Sequence, residues 1–474
     1  MQQQFNSTRI QCQELGRRKV IADFDGGQIS SDGGALLLRE LECQTGLIAS
    51  FASCFKDHRD PKKIEHSLKQ LLAQRIFGIA LGYEDLVDHD ELRKDPLLAV
   101  VVNQLDPTGQ RRSNPRDQGC PLAGKSTLNR LELSPAHADQ DSRYKKIVYD
   151  EDKINRFFVE QFLDSYEAPP EWIVLDADPT DDPIHGNQEG RFYHGYYHYY
   201  CYYPLYIFCD DHLLCARLRR SNIDASKGTV DELKRIIPQI RQRWPKINIL
   251  LRGDSGFSRD EIMDWCEQNQ VYYLLGQQRN PRLVKKIRKQ LEHARRKHLQ
   301  TGKSWRVFSS FYYRTIDSWS RKRLVIAKSE HLPKGANPRF VVTNLPKGFA
   351  STRDVYEKYY CARGDMENRI KEQQLDLFAD RTSAETMRAN QLRLWFSSVA
   401  YMFLAHLRRI GLKGSRMAKA QAGTIRLKLL KIGAIVTVSV RRVVISLSSA
   451  FPHADLFNRA HCLIRSHFGN APPA

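Results

Sequence analysis

The stretch that most constrains this chain is Asn248 to Phe257 (NILLRGDSGF), a short apolar run that stops at a carboxylate set between glycines. Trp244-Pro245 precedes it and a turn signal follows, so it predicts a buried strand that delivers Asp254 to the edge of a sheet. A carboxylate so placed has two readings. It is a functional group, or it is the N-cap of a helix that starts near Ser258-Arg259-Asp260-Glu261.

The rest of the chain supplies a context for that choice. At 474 residues, 41% of them hydrophobic, the sequence predicts two to four domains with ample core. A formal net charge of +20 points to a polyanionic partner, with a solubilising surface as the plainer alternative. The ten cysteines show no CxxC pair, which argues against a zinc ribbon or a disulfide framework and for a reducing, cytoplasmic setting. The first residues lack a signal-peptide pattern and no apolar stretch reaches the roughly 18 residues of a membrane span, so no membrane association is expected.

Residues 1–160 read as mainly helical. A strand pair is predicted around Lys19–Ile21 and Gln28–Ser30, turning at Asp25-Gly26-Gly27. A helix follows Ser31-Asp32-Gly33-Gly34, and the apolar spacing from Ile64 to Ile79 predicts another. Further helices are expected over Glu84–Arg93 and Lys125–Glu132, and residues 106–121, carrying Arg111, Arg112 and Arg116, read as a loop that either touches phosphate or is simply solvated.

From Glu171 the texture changes to strands. Trp172–Asp178 is one, the tyrosine-rich segment 196–208 makes two more, and Cys215–Leu218 a further short one. An amphipathic helix over Asp231–Trp244 leads into the strand that ends at Asp254, and Val271–Gly276 is another buried strand, giving a mixed α/β layer. Residues 281–350 begin with a basic run (Arg282, Lys285, Lys286, Arg288, Lys289, Arg295, Arg296, Lys297) and continue with strand-like stretches, so they are expected to form a basic, β-rich insertion. A helix from Asp354 and a long apolar helix over Ala384–Arg409 come next, and residues 411–474 are expected to be a basic β region.

Three carboxylates stand out against this frame. Asp176 and Asp178, two apart on one strand, point to the same face, and a second buried strand ends in Asp254. Downstream, Tyr360, Arg363, Glu367 and Gln374 share a helical face, although Arg363 and Glu367 are also what an ordinary i, i+4 pair looks like, worth about 0.3–0.5 kcal/mol. Two strand carboxylates and a helix carboxylate suit a pair of Mg²⁺ or Mn²⁺ ions about 4 Å apart at a phosphodiester. His185, His194 and His198, by contrast, lie in a loop and among strand tyrosines, a poor pattern for zinc; those tyrosines read as packing before base stacking.

Taken together, Asp176-x-Asp178-x-Thr180, Gly186-x-Gln188-Glu189-Gly190, Arg252-Gly253-Asp254-Ser255-Gly256-Phe257 and Tyr360-x-x-Arg363-x-x-x-Glu367 resemble the DDE transposases of bacterial insertion sequences (DDE group 1), in detail the insertion-sequence family numbered 1380. The resemblance runs over most of the chain. It implies a ribonuclease-H-like mixed sheet flanked by helices, with core segments at 161–280 and 351–410, interrupted by the insertion at 281–350 and preceded by a helical DNA-binding region at 1–160. It further implies Asp178, Asp254 and Glu367 as catalytic, metal-binding residues, with Asp178 favoured over Asp176 because Thr180 follows at the family spacing.

By the same resemblance Tyr360 and Arg363 contact DNA. A lysine expected at Gln374 is missing, leaving Lys371 or Lys358 as the substitute cation. The insertion would help hold the cleaved end through its basic run, with Trp319 either stacking on a flipped base or filling the insertion's core. The implied activity is cleavage at terminal inverted repeats and strand transfer into target DNA by a homodimer in the bacterial cytoplasm, associated with the nucleoid. A catalytically inactive DNA-binding derivative and a metal-dependent nuclease without strand transfer are the alternatives.

Overall fold

A computed structural model describes residues 9–469; positions 1–8 and 470–474, the outer ends of the first and last predicted regions, lie outside the described residues. The chain divides into two compact units, one of Met1–Ser53, Asp57–Val148 and Phe403–Ala474, the other of Cys54–Lys56 and Tyr149–Met402. The expected N-terminal and C-terminal regions are therefore one unit.

In that unit the helices Leu36–Thr45, Leu68–Leu81 and Lys125–Glu132 supply most of the apolar surface. Ser67 and Gln70 cap the second of them reciprocally, so it starts four residues later than the apolar spacing alone suggests. The predicted hairpin is different from expectation. Ile10–Leu15 pairs with Arg18–Ala22, while Ile29–Ser30 pairs with Ala434–Val438, whose other neighbour is Val443–Leu447. The glycines after Asp32 explain this long-range pairing. A Cβ on Gly34 would lie 2.1 Å from the Leu429 carbonyl oxygen and 2.4 Å from Leu430 Cα, so only glycine lets the two segments meet. Buried Asp32 seals the junction, accepting from Tyr83 Oη at 2.6 Å and pairing with Lys431 Nζ at 2.6 Å. The expected C-terminal β region is largely helical, ending in an amphipathic helix over Ala454–His467.

The second unit is built on a nine-stranded sheet. Its main strands are β1 (Trp172–Pro179), β2 (Leu205–Cys209), β3 (His212–Arg217), β4 (Asn248–Gly253), β5 (Tyr272–Gln277), β6 (Trp305–Tyr313), β7 (Arg323–Leu332) and β8 (Arg339–Thr343). A two-residue strand, Gly335–Ala336, pairs beside β7. The order is β3-β2-β1-β4-β5-β8-β7-β6, with β1, β4 and β5 parallel and the others antiparallel to their neighbours.

Alternation along the strands sends Ile173, Leu175, Ala177, Ile249 and Leu251 to one face, where they pack with residues of the helices Glu151–Asp164, Thr229–Arg243 and Asp260–Gln268. The opposite face buries Leu250, Leu274, Ile326 and Val341 with Val355 and Tyr356 of a following helical segment. Two expectations are corrected here. The 281–350 stretch is no β subdomain beside the sheet, because β6, β7 and β8 extend the sheet itself. Its basic run is also helical, over Pro281–Lys286 and Arg288–Thr301, the latter packed on β6 and β7.

Candidate active site

The parallel register of β1 and β4 sets Arg252 opposite Asp176 and Gly253 opposite Ala177. Continued by one residue, it brings Asp178 and Asp254 to the same end and face. Asp254 also accepts a hydrogen bond from the Gly256 amide at 2.7 Å and caps the short turn Ser255–Phe257. The cap and the functional group are thus the same residue, with the cap using Oδ1. Beside it on β5, a Cβ on Gly276 would lie 2.6 Å from Tyr360 Oη and 2.8 Å from the Ser255 nitrogen. Only glycine allows the Asp254 turn and Tyr360 to approach this closely.

Glu367 arrives on the helical segment covering this face, and the winding there is irregular. A wide π turn over Val355–Tyr360 gives way to a tight turn at Cys361–Arg363, then to regular helix over Gly364–Lys371 and a second π turn over Glu372–Asp376. Such departures are common at functional sites. Arg252 ties the segment to the sheet by donating from Nη1 to the Tyr359 carbonyl at 2.6 Å.

Asp176 and Asp178 have distinct surroundings. Both oxygens of buried Asp176 are engaged by Arg252, Nε to Oδ1 and Nη2 to Oδ2, each at 2.7 Å. Asp178 instead meets Arg363, whose Nη1 lies 3.2 Å from Oδ2 and whose Nη2 donates to Glu367 Oε1 at 3.0 Å. Burial pushes the Asp178 carboxyl up to about 7; the Arg363 guanidinium opposes this, while the charges of Asp254 and Glu367 add to it. Asp178, Asp254 and Glu367 therefore feel one another, and one arginine holds two of them.

Among the described residues, no set of three or more His, Cys, Asp or Glu side chains converges as a finished metal cage. In the triad the Arg363 guanidinium lies between Asp178 and Glu367. The donors are nonetheless hard carboxylate oxygens, and Glu367 is 47% exposed, so its carboxylate can turn without unpacking the core.

Other expected contacts are placed differently. Gln374, at the position of the expected lysine, donates to the Asp181 carbonyl at 2.8 Å and to Asp182 Oδ1 at 2.9 Å, tying the end of the Glu367 segment to the loop after β1. Lys358 pairs with Asp354, whereas Lys371 is exposed one turn beyond Glu367. Arg282 and Lys286 lie over the rings of Tyr313 and Phe311, and Lys285, Arg288, Lys289, Arg295 and Arg296 sit on the two outer helices, where Arg295 pairs with Glu292.

Trp319 is 3% exposed, packed edge-on to Tyr313 beneath Arg323, so the expected role in base stacking is replaced by core packing. Arg112 is held by Glu65 and His66. Sequence reading missed the Arg252–Asp176 clamp, for which a charged residue inside an apolar strand was the available signal.

A cleft of about 630 Å³ opens beside Asp254, lined by Ser255, Gln277, Arg279, Arg339 and Tyr360 among others. No helix among the described residues is long and apolar enough to cross a membrane.

No curated protein sequence matches this chain. Among solved structures, a piggyBac transposase in a synaptic complex with hairpin DNA is similar over 94% of this chain and 83% of that one, at 10% identity and a TM-score of 0.40. Sequence decides the relationship, because residues 12–467 match the family described as transposase DDE domain group 1, and the chain belongs to that family of transposases.

Proposed function

We propose that this chain is the transposase of a bacterial insertion sequence, which binds the element's terminal inverted repeats, cuts DNA there and joins the freed 3′-ends to a target. The observation that carries the reading is the meeting of Asp178, Asp254 and Glu367, from two adjacent parallel strands and a helix, at one end of the sheet. An antiparallel β1-β2-β3 meander joined through β1 to parallel β4 and β5 is the order expected of a ribonuclease-H-like core, which supports the same assignment. DNA, and a homodimer that holds two ends, are the implied partners.

The three carboxylates are the residues that would hold two Mg²⁺ or Mn²⁺ ions. Held there, such ions supply activation of the attacking water or 3′-hydroxyl and stabilisation of the leaving oxygen. The protein's own part is preparation of the site. Asp178, raised to about 7, gives up its proton when positive charge arrives. Arg363, now bound to Asp178 and Glu367, is released from them and becomes available to a non-bridging phosphate oxygen. Arg252 keeps the Glu367 segment seated on β1 and β4 while this happens.

Incubation with labelled inverted-repeat DNA and Mg²⁺ tests the reading. Nicked ends and strand-transfer products are expected from the native protein, and neither from Asp254→Asn. Cleavage without joined products would reduce the assignment to a nuclease, and cleavage by the Asn variant at the native rate would remove the triad.

A further inference from the structure

The segment between β1 and β2 carries a hairpin that the site described above does not use. Strands Phe192–His194 and Tyr199–Tyr202 pair with Tyr193 opposite Tyr200, and the turn between them passes through His198 at φ 63°. Its root is fixed. Tyr202 is fully buried and its hydroxyl donates to the Glu189 carbonyl at 2.5 Å, and Asp182 pairs with Tyr202 across the neighbouring strand. Its outer part is not, because Tyr196 is 79% exposed and Tyr193 54%, with Tyr200 also exposed. Sequence patterning assigned these rings to packing, and their exposure overturns that.

Three features say what would cover them. First, the hairpin stands at the triad. Thr180, two residues beyond Asp178, donates from its amide to the Pro204 carbonyl at 3.2 Å, and the Tyr199 hydroxyl bonds Asp181. Tyr203, whose ring lies 6.2 Å from that of Tyr197, feels the charges of Asp178 and Asp254. Second, the exposed rings form a connected aromatic surface, with Tyr193 and Tyr200 5.7 Å apart and Tyr196 and Tyr197 5.1 Å apart. Third, a cation accompanies it, as the Arg191 guanidinium lies 4.7 Å from the Tyr200 ring centre. Aromatic faces beside a guanidinium suit a nucleobase with its phosphate, and stacking needs a base whose face is not already covered by its duplex neighbours.

We propose that the hairpin Phe192–Tyr202 is a stacking platform for unpaired bases of the DNA strand next to the scissile phosphate, formed by Tyr193, Tyr196 and Tyr200. This inference rests on the reading of the triad as a DNA-cutting site, but its test does not require cutting. The full-length protein is titrated, in EDTA, with a fluorescent duplex carrying a short run of thymine–thymine mismatches and with the same duplex fully paired.

The native protein should prefer the mismatched duplex by roughly tenfold or more. The Tyr193→Leu, Tyr196→Leu, Tyr200→Leu variant should bind both alike, and the corresponding triple Phe variant should keep the preference, because stacking needs the ring and not the hydroxyl. Absence of preference in the native protein, or its persistence in the Leu variant, overturns the proposal. So does a Leu variant that loses affinity for both duplexes equally, or that changes oligomeric state without DNA, since the face would then be structural or a contact between copies. If the preference behaves as expected but no condition yields cleavage, the proposed function fails and the platform stands.

Discussion

Replacing Asp176 and Asp178 separately by Asn should affect stability in opposite senses, although the two residues share a strand and a face. Asp176→Asn leaves the Arg252 guanidinium, 11% exposed, without its counter-charge, a loss on the order of 3–5 kcal/mol. Asp178 is the reverse case. Its carboxyl goes from 3.8 to about 7 on folding, so folding disfavours its ionised form. The native state binds the proton more tightly than the unfolded chain. The associated destabilisation is therefore absent below about pH 4, grows as pH rises, and is complete above about pH 7.

At about 1.4 kcal/mol per tenfold change in proton affinity the full effect is on the order of 4 kcal/mol, which solvent at the partly exposed carboxylate and the lost Arg363 contact reduce to about 2. Thermal melting of both variants at about pH 5 and about pH 8 checks this. Asp178→Asn should match or exceed the native melting temperature, with the larger gain at the higher pH, while Asp176→Asn melts well below it at both. Equal losses from the two substitutions, or a gain from Asp178→Asn confined to the lower pH, would refute the assignment of one carboxylate to structure and the other to the site.

Asp254→Asn should lower DNA cleavage in Mg²⁺ by about a thousandfold or more, equivalent to about 4 kcal/mol of barrier, while a gel-shift assay shows DNA binding nearly unchanged. Gly276→Ala should cost about 1–3 kcal/mol of stability and most of the cleavage activity, since the new methyl meets both Tyr360 Oη and the Ser255 amide. Adding Tyr360→Phe should recover only part of the melting temperature, because the backbone contact remains. If the +20 charge contacts phosphate, duplex affinity measured against salt should fall with a log–log slope of about 0.9 per neutralised phosphate, and a flat response would make that charge a matter of solubility.

What could be read in advance were features set by neighbours in sequence. The apolar run into Asp254, the strand carrying Asp176 and Asp178, and the helix Lys125–Glu132 follow from local patterning and are present within a residue or so. The same patterning could not choose between Asp176 and Asp178. Alternation puts both on one face, and the choice depends on the register of β1 against β4, which places Arg252 beside Asp176. Likewise Ile29–Ser30 reads as half of a local hairpin until Gly34 is seen to admit the backbone of residues 429–430. Trp319 is misread for a related reason. Its serine neighbours suggest exposure, but Ser320 is bonded to Asp260 and the indole lies beneath Arg323, which is held by Asp260, Asp264 and Glu267.

The stretch from Pro281 to Thr343 shows most clearly where patterning ends. A strand-to-helix crossover needs about a dozen residues, so the much longer interval between Asp254 and Glu367 suggests an added subdomain. Length alone does not say whether added strands close on themselves or join an existing edge. Here β8 pairs with β5, Val342 opposite Leu275, and β7 and β6 follow outward, so the addition continues the sheet that carries the carboxylates. The consequence is mechanical. A change in the β5–β8 pairing is transmitted through backbone hydrogen bonds to the strand holding Gly276, and Gly276 touches the Asp254 turn. The added strands therefore form part of the support that fixes Asp254.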